Sequence, residues 1–389
     1  MQTKALKELE QKLNFKLDNV GSVEWDVFAN IAHKLLNYNE SINIDKDTPL
    51  SEILEKLKEL EISSDTNSKI KSNYFKTLGE NKTRIIYSFL KNIIETKQKL
   101  KQGQKLEKVD WDDISTLNYI PEKIDIFTYS FPCQDISTMG YGKGINENTR
   151  SGLLWELKRI FKNNKDKLPK VLVMENVKNL VSKNFIKDFE KWLEYLETLG
   201  YKTEYKTLNA IDYGSMQNRE RVFAISWLDK NKEFKWPSKI KHNAKIRDIV
   251  EFERISEKDL ERGARFLNAK SGEWKYNKQN NKMWRKIELK GYLESDKIIV
   301  HPDYWGQTLM KSAGIKLKVE LETEKWGKIV KLLNGRESLM YMGLSKNDVD
   351  KIDNNILLTE NKLKMLAGNS IELNTLKALF ENIIKYLLN

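Results

Sequence analysis

A single cysteine stands among 389 residues. Cys133 sits between Pro132 and Gln134, directly after the apolar run IDIFTYSF (124–131). A second apolar run, VLVM (171–174), ends in Glu175-Asn176-Val177. A third, VFAIS, is opened by Gln217-Asn218-Arg219-Glu220-Arg221, with two arginines at i, i+2 that an extended chain directs to one side. These residue types suit one task. A thiolate adds to an electron-poor ring carbon, a carboxylic acid protonates or hydrogen-bonds a ring nitrogen, and guanidiniums hold a ring carbonyl or a phosphate. Together they describe attack on a pyrimidine. Each alone has a plainer reading. A lone cysteine is most often a buried hydrophobe, an acid after a strand can cap a helix, and arginines are often surface charge.

The elements that must carry these residues follow from periodicity. Residues 123–131 and 169–177 read as buried strands, 151–163 as a helix with Leu153, Leu154, Leu157 and Ile160 inward, and 186–200 as a helix closed by Gly200. KTEYKTLNA and RVFAISWL are two further strands. From about residue 20 to 228 strands and helices alternate, which predicts a doubly wound α/β sheet, mostly parallel. In such sheets the active crevice lies at the carboxyl ends of the strands, where Cys133 and Glu175 stand. Residues 1–18 form an amphipathic helix, and 40–108 a Lys/Glu/Asn-rich helical insert. The domain boundaries expected are a catalytic domain over 1–231, a second domain over 232–325 without clear period, and a C-terminal segment, 326–389, returning to the first domain.

Composition narrows the classes. Lys and Arg total 68 against 56 Asp and Glu, a net charge of +12, which favours a polyanionic partner. Lys, Asn and Ile richness weakens that inference, since whole proteomes share such biases. One cysteine excludes an internal disulfide and a cysteine-based zinc site, and a thiol redox enzyme would need a second. The three histidines are scattered, so no metal is expected. No run of about eighteen apolar residues occurs, and the charged N-terminus does not read as a signal peptide, so a cytoplasmic protein without membrane contact is expected.

With these motifs in order, SFPCQ (130–134), MENV (174–177), QNRER (217–221), LAGNSI (366–371) and RSGLLWE (150–156), the chain resembles the DNA (cytosine-carbon-5) methyltransferases over most of its length outside 40–100 and 232–300. The resemblance implies a Rossmann-like, S-adenosylmethionine-dependent sheet. It also implies a mechanism on a cytosine flipped out of double-stranded DNA. Cys133 adds to ring carbon-6, Glu175 stabilises protonated N3, and carbon-5 then takes the methyl group. Arg219 and Arg221 hold the flipped base and order the nucleophile loop. Residues 134–149, with Gly140, Gly142 and Gly144, form a loop closing over DNA. For the cofactor it implies Glu24 at the ribose, Trp25 against the adenine, and Pro132, Leu153, Asn369 and Ile371 around the pocket. An acid of VDWDDI contacts the adenine amine: Asp110, Asp112 and Asp113 compete, and Asp110 is the choice made here.

One departure stands out. The family opens with F-x-G-x-G ending its first strand, whereas the first glycine here is Gly21, and residues 1–18 resemble the helix that follows that motif. The expectation is a sheet without its first strand and a chain, as given, that holds the cofactor poorly. A late coding start and a truncated gene are the competing causes, and a DNA-binding remnant that does not methylate is the rival function. Residues 232–325, with Trp236, Trp274, Trp284, Tyr292, Tyr304 and Trp305 among basic residues, hold the position of a target-recognition domain. Similarity to bacterial enzymes suggests a monomer acting on CG sites, with a cognate restriction endonuclease as partner.

Overall fold

The computed structural model describes residues 1–38, 43–71, 73–132, 150–310 and 317–388. The chain divides into two compact units: a first of residues 6–208, 221–235 and 381–389, and a second of residues 1–5, 209–220 and 236–380. Among the described residues no helix is long and apolar enough to cross a membrane.

The first unit is α/β. Its strands are β1 (Gly21–Val23), β2 (Val109–Trp111), β3 (Ile126–Ser130), β4 (Val171–Val177), β5 (Lys202–Asn209, whose last residue belongs to the second unit) and, after β6 of the second unit (Gln217–Asn218), β7 (Glu220–Trp227). They form two separate sheets, β2-β1 and β3-β4-β7-β5. β1 pairs with β2, and β3 with β4, in parallel; β7 runs antiparallel to β4. Among the described residues no strand joins β1 to β3. Parallel strands are normally covered on both faces, yet Val23 is 36% exposed. Gly21 is required where it is: with φ +139°, a Cβ would lie 2.0 Å from the Val109 carbonyl oxygen.

Helices α1 (Gln2–Leu13), α2 (Val27–Tyr38), α3 (Leu50–Lys58), α4 (Tyr74–Leu78) and α5 (Glu80–Lys101) precede β2, so the insert expected over 40–108 is helical. Helices α6 (Leu154–Asn163) and α7 (Ile186–Thr198) follow β3 and β4. Helix α6 buries Leu154, Leu157, Ile160 and Phe161, as the spacing predicts. Leu153, expected inward, is 36% exposed, because it ends a 3-10 turn ahead of the helix and falls outside its stripe. Leu157, Phe161, Leu172, Met174, Phe189 and Trp192 share one core with Val109 and Trp111 of β2, so both sheets rest on the same apolar mass. Its polar atoms are satisfied: Trp192 Nε1 donates to the Tyr129 hydroxyl at 2.9 Å.

The second unit contains a five-stranded sheet of order β13-β12-β10-β9-β8. These strands are β8 (Lys275–Asn277), β9 (Lys282–Lys286), β10 (Ile298–Val300) and, after β11 (Gly306–Gln307), β12 (Lys318–Thr323) and β13 (Gly327–Leu332). β11 pairs in parallel with β6. Helix α8 (Glu257–Leu267) covers the sheet through Phe266, which packs with Ile287, Ile299 and Val330. Helices α9 (Gly335–Met340), α10 (Lys346–Asp353), α11 (Glu360–Asn369) and α12 (Leu373–Leu388) complete the chain. Two expectations are corrected. Residues 232–325 are not irregular, and the boundary at 325/326 does not exist. β12 and β13 cross it as one hairpin, so 326–380 cluster with the second unit and only 381–389 with the first. At the hairpin's foot, Glu337 is fully buried. Its carboxylate accepts from Lys331 Nζ at 2.7 Å and from the backbone N–H groups of Asn334 and Glu251 at 2.9 and 3.0 Å.

Candidate active site

Register places the candidate carboxylate. Glu175 stands on β4 opposite Ser130 of β3 and opposite Phe223 of β7. It is buried, and its two oxygens meet donors from the two flanking strands. Arg221 Nε lies 3.1 Å from Oε1, and the Ser130 hydroxyl lies 3.4 Å from Oε2. The next residue, Asn176, is 2% exposed and donates from Nδ2 to the Phe131 carbonyl at 3.1 Å. One strand end therefore carries the acid and pins the backbone two residues before Cys133. Cys133 itself lies outside the described residues, as do Gly140, Gly142 and Gly144. Pro132, the last described residue before it, is half-buried.

The other acids cluster after β1 and β2. Glu24, half-buried, accepts from the Asp26 N–H at 2.8 Å. Burial raises its pKa from 4.5 to about 7, the Asp26 N–H opposing the rise and the Asp26 charge adding to it. Asp26 caps α2 by accepting from the N–H groups of Phe28 and Ala29. Trp25, half-buried, follows Glu24 directly. Of the three candidates on VDWDDI, Asp110 is engaged at both oxygens: Oδ1 accepts from the N–H and hydroxyl of Ser22, and Oδ2 from Asn92. Asp112 is fully buried and paired with Lys97 of α5. Asp113 is half-buried and uses Oδ1 on the Ser115 N–H.

The two arginines of QNRER serve different partners. The strand is interrupted at Arg219, between β6 and β7, so the same-side rule does not carry across. In the second unit Arg219 is 4% exposed. It donates to three backbone carbonyls: Leu309 at 2.8 Å, Gly368 at 3.2 Å and Ser370 at 2.9 Å. It ties QNRER to the segments after β11 and α11. Asn369 is exposed at the end of α11, and Ile371 is 9% exposed. The cap of α12 falls to Glu372, which accepts from the Thr375 N–H at 2.8 Å.

Comparison with known proteins decides what this arrangement belongs to. The family model for C-5 cytosine-specific DNA methylase matches residues 76–385. The chain belongs to the C-5 cytosine-specific DNA methylases. The orphan methyltransferase M.SssI of Spiroplasma monobiae is 31% identical over 391 residues, covering 97% of this chain and 93% of the relative. The type II methyltransferase M2.ScrFI of Lactococcus lactis is 38% identical over 300 residues, covering 74% of this chain and 75% of the relative. In fold the chain is similar to the crystal structure of S. pombe Dnmt2 methyltransferase: TM-score 0.55, 15% identity, covering 99% of this chain and 96% of that one.

Within this DNA methylase, two further side chains surround Glu175 in the first unit, and a third supports Arg219 in the second. Asn176 was visible as the third letter of MENV. Ser130, the first letter of SFPCQ, gave no signal of its own. Gln217, fully buried, accepts the Leu309 N–H at 2.9 Å and donates to the Tyr341 carbonyl at 3.2 Å. Its partners lie 92 and 124 residues away, so only the fold reveals it.

Proposed function

We propose that this chain methylates carbon-5 of a cytosine flipped out of double-stranded DNA, in a restriction-modification or epigenetic role. The carrying observation is the carboxylate of Glu175, gripped from both neighbouring strands at the end that leads into Phe131-Pro132-Cys133. Flipping exposes both faces of the ring to protein groups. The Cys133 thiolate forms a bond to carbon-6, the electron pair of the 5,6 double bond shifts between carbon-5 and carbon-4, and that of the carbon-4–N3 double bond moves onto N3. Glu175 supplies the proton that neutralises charge at N3, which makes carbon-5 nucleophilic. Once carbon-5 carries the methyl group, loss of its proton restores the 5,6 double bond and expels the thiolate. Arg221 fixes the plane of that carboxyl group and balances its charge. Arg219 acts through the backbone it ties, as a positioning residue.

The family uses S-adenosylmethionine, which when bound supplies an electrophilic methyl group. The residues fit its nucleoside end. Glu24, with the turn after β1, suits the ribose hydroxyls, and Trp25 the adenine face. For the adenine amine, the free capacity of Asp113 makes it a better candidate than Asp110, whose oxygens are both engaged. Leu153 and Pro132 of the first unit remain assigned to the pocket wall; Asn369 and Ile371 stand in the second unit. A monomer acting on CG sites is part of this reading, and a cognate restriction endonuclease as partner accords with the type II name of M2.ScrFI.

A second reading is a DNA-binding remnant. Among the described residues β1-β2 and β3-β4-β7-β5 form two separate sheets, and that separation favours it. Tritiated-methyl transfer to DNA separates the two. The enzyme reading expects transfer that Cys133→Ser abolishes while DNA binding persists. Binding without transfer, both in residues 1–389 and in a chain extended by in-frame upstream codons, supports the remnant.

A further inference from the structure

We propose that the hydroxyl of Ser130 is a positioning group for the proton that Glu175 exchanges with the cytosine ring. The inference rests on the role given to Glu175 above and adds a residue to it. Ser130 closes β3 and stands directly opposite Glu175 in the parallel ladder, so its side chain is delivered to the carboxyl group by register. The two oxygens of Glu175 meet unlike donors. Oε1 faces Arg221 Nε at 3.1 Å, and Oε2 faces the Ser130 hydroxyl at 3.4 Å. A guanidinium only donates, so it serves an oxygen that accepts in either state of the acid and cannot accept the acid's own proton. A hydroxyl rotates and either donates or accepts, so it donates to the carboxylate and accepts from the O–H of the carboxylic acid. Proton exchange at N3 takes Glu175 through both states. Ser130 is the one of these two neighbours that can change its role with the proton. The contact is long for an O–H···O bond. Catalytic hydrogen bonds are commonly long in the free enzyme and tighten in the substrate complex. The backbone around Ser130 is held meanwhile by β4, through the ladder and through the bond from Asn176 to the Phe131 carbonyl.

Steady-state methyl transfer to DNA by the full chain, with DNA and methyl donor varied separately, tests the assignment. Loss of a hydrogen bond to a charged group predicts that Ser130→Ala lowers kcat about tenfold or more. The KM for DNA should stay within about twofold and the melting temperature unchanged, and Ser130→Thr should recover most of kcat. An unchanged kcat in Ser130→Ala overturns the proposal. So does an equal loss in the Ala and Thr variants, or a loss matched by a lower melting temperature, since these mark a packing role. Glu175→Gln, run alongside, separates the two layers. If the parent transfers methyl groups and Glu175→Gln does so equally well, the role of Glu175 falls and that of Ser130 with it. If Glu175→Gln is inactive and Ser130→Ala is not impaired, only the Ser130 assignment falls. A parent that transfers no methyl group, even when extended upstream, overturns both.

Discussion

Two strands of the first unit each carry an acid at or near the carboxyl end, and the acids live under different rules. Glu175 stands near the end of β4, which has a neighbour on both sides, and each neighbour contributes a donor to its carboxylate. Glu24 follows β1, which among the described residues pairs with β2 alone, and the Asp26 N–H that its carboxylate accepts belongs to its own turn. Beside Glu175 stands a cation, Arg221; beside Glu24 stands a like charge, Asp26. Burial, with the Asp26 charge adding to it, pushes Glu24 up to about 7, into the working range of a cell. A strand held on both sides can fix a charge for chemistry, whereas an edge strand leaves its acid to be tuned by whatever comes to cover it.

The comparison can be broken first at its stronger side. Arg221→Ala removes the cation from Glu175 and leaves the carboxyl group free to turn. Turnover should fall about 100-fold, the scale of losing a preorganised electrostatic partner, with DNA affinity much less affected. Single-turnover methylation measures this, and an unaltered rate would mean that Arg221 is ordinary surface charge. The weaker side is read by pH. A ribose hydroxyl donates best to an ionised acid, so cofactor affinity should climb as pH passes about 7. Glu24→Gln should flatten that profile and bind about tenfold more weakly above pH 8, as titration calorimetry would record. Stability runs the other way. Glu24 keeps its proton in the fold while the unfolded chain loses it, so this contribution is complete below about 4.5 and drains away as pH rises through about 7. The smallest effects sharpen the choice among acids. Asp113→Asn should weaken cofactor binding several-fold with an unchanged melting temperature, the scale of one hydrogen bond. Asp110→Asn should instead lower the melting temperature by a few degrees, since its oxygens tie β1, β2 and α5 together.

The legible parts of the molecule were local. The strands before Cys133 and Glu175 are β-branched and apolar, and β3 and β4 form where those runs lie. The helical insert and α6 follow the same logic of period. What sequence hid was set by distant partners. Asp112 is paired by Lys97, which belongs to the insert, so no reading of VDWDDI alone could sort its three acids. Arg219 is anchored by carbonyls 90 to 151 residues away. The sheet of the second unit escaped notice because β8 and β10 have three residues each, too few to show alternation. Lys318 and Lys331 also sit buried within it, where a pattern reader expects polar, outward positions.

The carboxylate of Glu337 carries a last consequence. It closes the capping box of α9, neutralises Lys331 of β13 and holds the N–H of Glu251. The stretch 331–337 and Glu251, 86 residues from Glu337, thus share one buried anion, and withdrawing Lys331 leaves that charge uncompensated at a cost of about 3–5 kcal/mol. They should therefore open as one unit in hydrogen exchange. Tyr341, whose N–H bonds the Glu337 carbonyl, receives Gln217. The arginine motif of this methylase is thus moored to a part of the chain that does not breathe piecemeal.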